Sequence, residues 1–442
     1  MTNATTTTAT HAIKGTAPNA TPTAAPITDM PSTRTHAAAT PAPAKPAPCL
    51  ATSALAVPRS GIRDVFDRAE RVPDCISLAV GEPGETAAAH IVEAGCRAIR
   101  EGDTHYTNVL GTGAYREAAA NYTRRVKGLD YDPAGEIQAI DGATIGLYLA
   151  LKAVVDPGDE VLIPSPYFTS YDAEVMLCGG IVRTVPLRPE HGMRLDARDI
   201  EAAIGPRTRA IILNSPGNPT GAVTPMDELE RIGRVLERHN VWAISDEVYH
   251  PFVFGDEDLH SPDCLGSTAP SIAAAPGMKE RTIVVESLSK TFAMTGWRIG
   301  YLLAPEAVIE QTSKIAELMH SSVNSIALAA GTAALDGPMD RVIAMKHHYA
   351  RNRTAVLEAL SGCATLRPIT PEGAFYVFVD VRGTGLDDVA FCHRLLDEES
   401  VAAVPGSAFG QAGAGFVRLS YAGDAADVRE GARRMRAFAE RL

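Results

Sequence analysis

The segment SLSKTFAMTGWRIGY (residues 287–301) places Lys290 behind an apolar β-branched run and among serines, with Arg298 beyond a Gly296–Trp297 pair. A lone lysine is ordinarily a solvated surface residue. A lysine held near hydroxyls and a second cation invites more specific chemistry. An arginine among hydroxyls suits a phosphate, and a lysine beside it suits a carbonyl-bearing phosphate ester. Schiff-base formation needs a lowered lysine pKa, which desolvation and a nearby cation both supply. Ser287 and Arg298 are candidate phosphate ligands and Ser289 a weaker one. Thr295 and Trp297 read as structural.

Other residues could complete such a site. Asp246 directly follows the apolar run VWAIS (241–245), where a carboxylate is costly unless paired. Glu247 should point away if Asp246 points in. In DGATIGLYLALKAV (141–154), small residues open a helix with Leu147, Leu151 and Val154 at helical spacing. Free N–H groups at a helix start bind anions, so Ala143 and Thr144 could hold a phosphate or simply start the helix. Asn218 lies in the turn-rich loop NSPGNPTG (214–221), where it could stabilise the turn or reach a ligand. Arg418 sits mid-run in FVRLSYA (416–422). If buried it wants a planar anion or an internal salt bridge, and the two fit equally.

The elements that must position these residues follow from the pattern. GDEVLIPSP (158–166), TRAIILNSP (208–216), VWAIS (241–245) and RTIVVES (281–287) read as strands. The segment Pro225 to Asn240 places Leu229, Ile232, Val235 and Leu236 on one helical face. Strand, polar loop, helix, strand is the grammar of a mostly parallel α/β sheet, whose ligands sit at the carboxyl ends of the strands. From roughly residue 340 a long helix (341–360) precedes strand-like AFYVFVDV (374–381), VAAVPG (401–406) and FVRLSYA, then a final helix. This predicts a smaller α+β domain. Residues 1–57 are dominated by Ala, Thr and Pro, cannot bury enough apolar surface to offset ordering entropy, and are expected to be disordered. The expected division is 58–100 as an N-terminal contribution to the small domain, 101–338 as the large domain and 339–442 as the C-terminal small domain.

Whole-chain properties narrow the class. The net charge of -12 argues against nucleic acid as the main partner. The 7 cysteines are scattered without a CxxC pair, the usual look of a reduced cytosolic protein. HExxH, GxSxG and Walker A strings are absent, and no metal is expected. No stretch is apolar enough to span a bilayer, and MTNATTTTATHAIKG lacks the apolar core of a secretory signal. A cytoplasmic location is the expectation.

Taken together, these segments resemble, in order, those of class I/II aminotransferases, the fold-type I enzymes that use pyridoxal phosphate (PLP), and within them the aspartate/aromatic/broad-specificity branch. The similarity spans roughly residues 60 to 442. It implies a large domain with a mostly parallel seven-stranded sheet flanked by helices, and a smaller α+β domain built from N- and C-terminal segments. It further implies that Lys290 binds PLP as an imine and then carries a proton as base and acid. By the same resemblance Asp246 pairs with the ring nitrogen, and Asn218 and Tyr249 contact the phenolic oxygen. Phe168 in PSPYFTSY (164–171) stacks on the ring, with Tyr167 the neighbouring rival. Ala143, Thr144, Ser287 and Arg298 hold the phosphate. Arg418, Gly81 and Asn218 hold the substrate, Arg418 through its α-carboxylate. Tyr106 reaches the phosphate of a neighbouring subunit, which implies a homodimer with shared active sites. Two departures stand out: where the family commonly has an aspartate and then a threonine–proline pair near the substrate entrance, the run here is GETAAAH (84–90), without the proline, and Tyr115 replaces the usual leucine before Arg116. The implied reaction is ping-pong transfer of an amino group between an L-amino acid and a 2-oxo acid. Another PLP chemistry, β-elimination or a synthase reaction, would keep the same ligands. A non-catalytic regulator on this fold would usually carry a basic front domain, which is not seen here.

Overall fold

Strands rich in Val, Ile and Leu, buried on both faces, form the centre of the molecule. The computed structural model describes residues 48–57, 61–255 and 264–442. Backbone contacts divide the chain between Cys49 and Leu50, and every element named below belongs to Leu50–Leu442. Most of the extension expected to be disordered lies outside the described residues. Its described end, residues 48–57, contains a short helix, Thr52–Ala56.

The strands in chain order are β1 (Ile76–Ser77), β2 (Ile137–Ile140), β3 (Glu160–Ser165), β4 (Ile181–Pro186), β5 (Thr208–Asn214), β6 (Trp242–Asp246), β7 (Thr282–Ser287), β8 (Gly300–Leu303), β9 (Arg367–Ile369), β10 (Tyr376–Asp380), β11 (Val401–Ala402), β12 (Val404–Pro405) and β13 (Phe416–Ser420). The main sheet has seven strands in the order β2-β8-β7-β6-β5-β3-β4. Pairing is parallel from β4 across to β7, and β8 runs antiparallel to both β7 and β2. This is the mostly parallel sheet that the alternating pattern predicts.

Side-chain alternation along each strand decides which helices cover it. Val161, Ile163, Ile212, Ile244 and Val285 face one layer, where Leu147, Ala150 and Leu151 of helix Ala143–Val154 pack with Val175 of helix Tyr171–Leu177. Leu162, Ile211, Leu213 and Ala243 face the other, against Leu229, Ile232, Val235 and Leu236 of helix Met226–His239. On that second face, helix Gly113–Lys127 covers Ala139, Val284 and Tyr301 with Tyr115, Ala118 and Tyr122. Both faces are therefore dry, which accounts for the unbroken apolar runs of β3 and β7.

The C-terminal part forms a four-stranded antiparallel sheet, β12-β13-β10-β9, backed by helices Asp340–Leu360, Asp388–Glu399 and Ala425–Glu440. The stretch read as one strand at 401–406 divides at Ala403. β11 pairs in parallel with β1, whereas β12 joins β13. The N-terminal segment is thereby built into the C-terminal α+β part, as the resemblance implies.

Candidate active site

The carboxyl ends of β3, β5, β6 and β7 converge on a cleft of about 430 Å³. Each strand ends in a polar residue and leads into a loop or, after β7, a short helix. Ser165 leads to Phe168, Asn214 to Asn218, Asp246 to Tyr249, and Ser287 to Lys290. The cleft wall includes Lys290, Asp246, Asn218, Tyr249, Arg298 and Arg418. It also includes Gly81, Ala143, Thr144, Phe168 and Ser287. All the expected site residues thus meet in one place, except Tyr106. That tyrosine is 88% exposed, away from this cleft.

Lys290 lies on the short helix Leu288–Thr291 that directly follows β7. Its Nζ donates to the Gly81 carbonyl at 2.8 Å. Burial, with Arg418 and Arg298 nearby, lowers its ammonium to about 8, against the opposing fields of Glu82 and Asp246. That supplies the neutral amine a Schiff base requires at modestly alkaline pH.

Asp246 ends β6 with its carboxylate buried. Burial pushes it up to about 6, even though it accepts hydrogen bonds from the Tyr171 hydroxyl at 2.6 Å and, more weakly, from the Val248 N–H at 3.4 Å. No cation among the described residues lies within salt-bridge distance of it. A protonated ring nitrogen placed against Asp246 would supply the missing charge. Glu247 turns to the other face of the sheet, as alternation requires, and pairs with Lys127.

The phosphate end is built from backbone as much as from side chains. Helix Ala143–Val154 starts at Gly142, which provides no side-chain cap. Its first N–H groups are free to meet an anion, and the helix dipole favours one there. Gly142 has φ 87°, and a Cβ at that position would lie 2.5 Å from Arg298 Nη2. Only glycine lets the guanidinium close over the helix start. Arg298 is itself held in the left-handed region at φ 54°, and Nη1 donates to the Thr295 carbonyl at 2.9 Å. Ser287 Oγ accepts from the Ser289 N–H at 3.1 Å and lies 2.9 Å from Ser289 Oγ, so both hydroxyls sit at the same corner.

Arg418 makes no internal salt bridge among the described residues. It is buried, yet no carboxylate of the described residues pairs with it. Nη1 donates to Asn218 Oδ1 at 3.0 Å and Nη2 to the Ala79 carbonyl at 2.6 Å, while Nε has no partner. The Tyr376 and Phe409 rings lie 4.5 Å and 4.9 Å from its guanidinium carbon. A buried cation held only by neutral groups is poised for an incoming carboxylate.

The family model for aminotransferase class I and II matches residues 73–435. The chain belongs to this family. The aminotransferase is 38% identical over 379 residues to a putative aminotransferase, YugH, of Bacillus subtilis, covering 86% of this chain and 95% of the relative. It is likewise 38% identical to the arginine–pyruvate transaminase AruH of Pseudomonas aeruginosa, over 85% of this chain and 92% of that one. The solved aspartate aminotransferase from Thermus thermophilus with maleate superimposes with a TM-score of 0.82 at 35% identity, over 90% of this chain and 100% of that one. The enzyme is accordingly a PLP-dependent transaminase that moves an amino group between an L-amino acid and a 2-oxo acid. The uncapped helix start, the guanidinium over Gly142, the unpaired Asp246 and the lowered Lys290 fit that cofactor.

Several residues of the aminotransferase cleft carry no signal of their own in the sequence. Tyr171 holds Asp246. Asn214 binds the Asp246 carbonyl through Nδ2 at 3.0 Å and accepts from the Asn218 N–H at 2.8 Å, fixing both loops together. The Tyr376 hydroxyl, from β10, lies 3.0 Å from that of Tyr249 and contacts the Gly81 carbonyl. A Cβ at Gly81 would come within 2.8 Å of that hydroxyl, so the close approach here requires glycine. Of the two rival aromatics, Phe168 lines the cleft and Tyr167 turns toward Asp172.

Proposed function

We propose that Lys290 carries PLP and moves the proton of the transamination, with the surrounding residues dividing the remaining tasks. When bound, the cofactor supplies an electrophilic carbonyl carbon and a ring that accepts an electron pair. Asp246, held by Tyr171, keeps a proton on the ring nitrogen. Tyr249 and Asn218 donate to the phenolic oxygen, and Phe168 covers the ring face. The Ala143 and Thr144 end of the helix, Ser287 and Arg298 hold the phosphate. Arg418 grips the substrate α-carboxylate beside Gly81 and Asn218. Lys290 Nζ, freed when the substrate amine replaces it, would take the proton from the substrate α-carbon and return it, across the shared nitrogen, to the former carbonyl carbon of the cofactor. The observation that carries this reading is the meeting, in one cleft, of a lysine lowered to about 8 and a buried carboxylate raised to about 6.

A homodimer with shared active sites belongs to the same reading. Tyr106 stands fully outward, and would complete the phosphate site of a second copy. The domain division at residues 58–100, 101–338 and 339–442 is supported by the β1–β11 pairing. A cytoplasmic location is supported by 7 cysteines that are all free. No helix among the described residues is long and apolar enough to cross a membrane.

The test is a panel of amino donors against the PLP-loaded protein. Transamination predicts that one donor yields 2-oxo acid in amounts equal to sites, with the cofactor left as its amine. Oxo acid formed without the amine would sink this reading in favour of a lyase.

A further inference from the structure

Behind the cleft lies a buried group of charges that the transamination steps do not use. Asp246 and Ser287 face the cleft. Their neighbours Glu247 and Glu286 project from the opposite face of the sheet. Lys127, the last residue of helix Gly113–Lys127, meets both. Its Nζ donates to Glu247 Oε2 at 2.5 Å and pairs with Glu286 Oε1. All three side chains are at most 3% exposed. Glu247 Oε1 also accepts from the Ser245 and Ser271 hydroxyls, each at 2.7 Å.

The remaining member is His250. Its Nδ1 lies 3.2 Å from Glu286 Oε2 and 3.1 Å from the Glu247 carbonyl. Two acceptors on one nitrogen place a proton there. Nε2 lies 3.0 Å from the Tyr122 hydroxyl, which can donate to it. Lys127 thus meets two carboxylates at once, and His250 packs against the second of them. A buried ion cluster adds little net stability over an apolar replacement, but its field acts at short range on whatever shares the sheet end.

We propose that Lys127 and Glu286 are positioning residues that act through Asp246: the carboxylate of Glu286, tempered by Lys127, strengthens the hold of Asp246 on the proton of the cofactor ring nitrogen. This rests on the assignment of Asp246 to that nitrogen. The groups facing Asp246 come from every neighbouring element. Tyr171 and Glu174 lie on helix Tyr171–Leu177, Tyr249 on the loop after β6, Lys290 after β7, and Tyr376 and Arg418 on β10 and β13. Tyr115, Tyr122 and Tyr301 face Glu286 from the far side. Glu286 and Glu247 bring their charges to Asp246 from the far face of the sheet, outside the cleft. Changing them alters the field without touching a cofactor contact.

The test uses the full-length enzyme loaded with PLP carrying a nitrogen-15 label in the ring, and reads by NMR the pH midpoint at which the ring nitrogen loses its proton. Lys127→Met removes a positive charge and should raise the midpoint. Glu286→Gln removes a negative charge and should lower it. Each shift should be on the order of half a pH unit. The double variant should return close to the parent value. Shifts in the same direction, or none in variants that fold and bind PLP, would overturn the proposal. If Lys127→Met does not fold, Glu286→Gln decides alone: a lower midpoint supports the proposal and an unchanged one overturns it. Asp246→Asn separates the two levels. If it moves the midpoint and the cluster variants do not, the proposal fails and the Asp246 assignment stands. If it too has no effect, that assignment fails.

Discussion

Replacing Asp246 with Asn should stabilise the PLP-free protein at neutral pH while disabling it. The carboxylate is buried and raised from 3.8 to about 6. Those two units, at about 1.4 kcal/mol each, amount to about 3 kcal/mol. The folded protein binds this proton more tightly than the unfolded chain does. The carboxyl therefore favours folding at pH below its unfolded value near 4, and that contribution is lost as pH rises through about 6. Asparagine keeps the shape and has nothing to ionise. It exchanges one acceptor for a donor, a loss of about 1 kcal/mol that does not vary with pH. The advantage of the variant should therefore shrink by about 2 kcal/mol between pH 7.5 and pH 4.5. Urea unfolding of the PLP-free parent and variant at several pH values measures this difference, and the other buried carboxylates cancel because both proteins carry them. Saturation with PLP should reverse the ranking, because only the parent gains an ion pair. A parent–variant difference that is flat across pH would refute the claim that Asp246 is an uncompensated buried charge.

Further tests address the two ends of the cleft. Arg418→Ala should lower kcat/KM by about 100-fold or more, the usual effect of removing one partner of a buried charge pair; Arg418→Lys should fall between, since it keeps charge but not the fork, and unchanged steady-state kinetics in both would remove Arg418 from the carboxylate site. Gly142→Ala should weaken PLP binding by on the order of 10-fold, because the added Cβ meets Arg298 Nη2 in a backbone of positive φ; pyridoxal without its phosphate, measured by equilibrium dialysis, should bind the parent and variant alike. On the proposed homodimer, Tyr106→Phe should weaken PLP retention, and equal retention at protein concentrations that favour a dimer would detach Tyr106 from the phosphate.

How far the sequence anticipates this arrangement depends on the kind of physics involved. Apolar runs that end in a polar residue identify strand ends, and so Asp246, Ser287 and Asn214 fall at the ends of β6, β7 and β5. Such runs also fix the layers, since Leu162 and Val161 must face opposite ways. What a run does not disclose is which distant element meets it. Tyr376 reads as one alternating position in a strand, and becomes a cleft residue only because the small sheet packs over Gly81. Lys127 ends the run Arg124–Arg125–Val126–Lys127, in which any cation looks solvated. It is buried because Glu247 and Glu286, far along the chain, converge on it. VAAVPG shows one β pattern, and divides because Ala403 separates residues that face two different sheets.

The role proposed for Lys290 is double: it carries the cofactor and moves the proton. The most direct measurement is a single turnover of Lys290→Ala loaded with PLP and mixed with a good amino donor. The donor should still bind, seen as a lasting change in absorption, and no 2-oxo acid should be released. Release of 2-oxo acid at the rate of the parent enzyme would contradict that role.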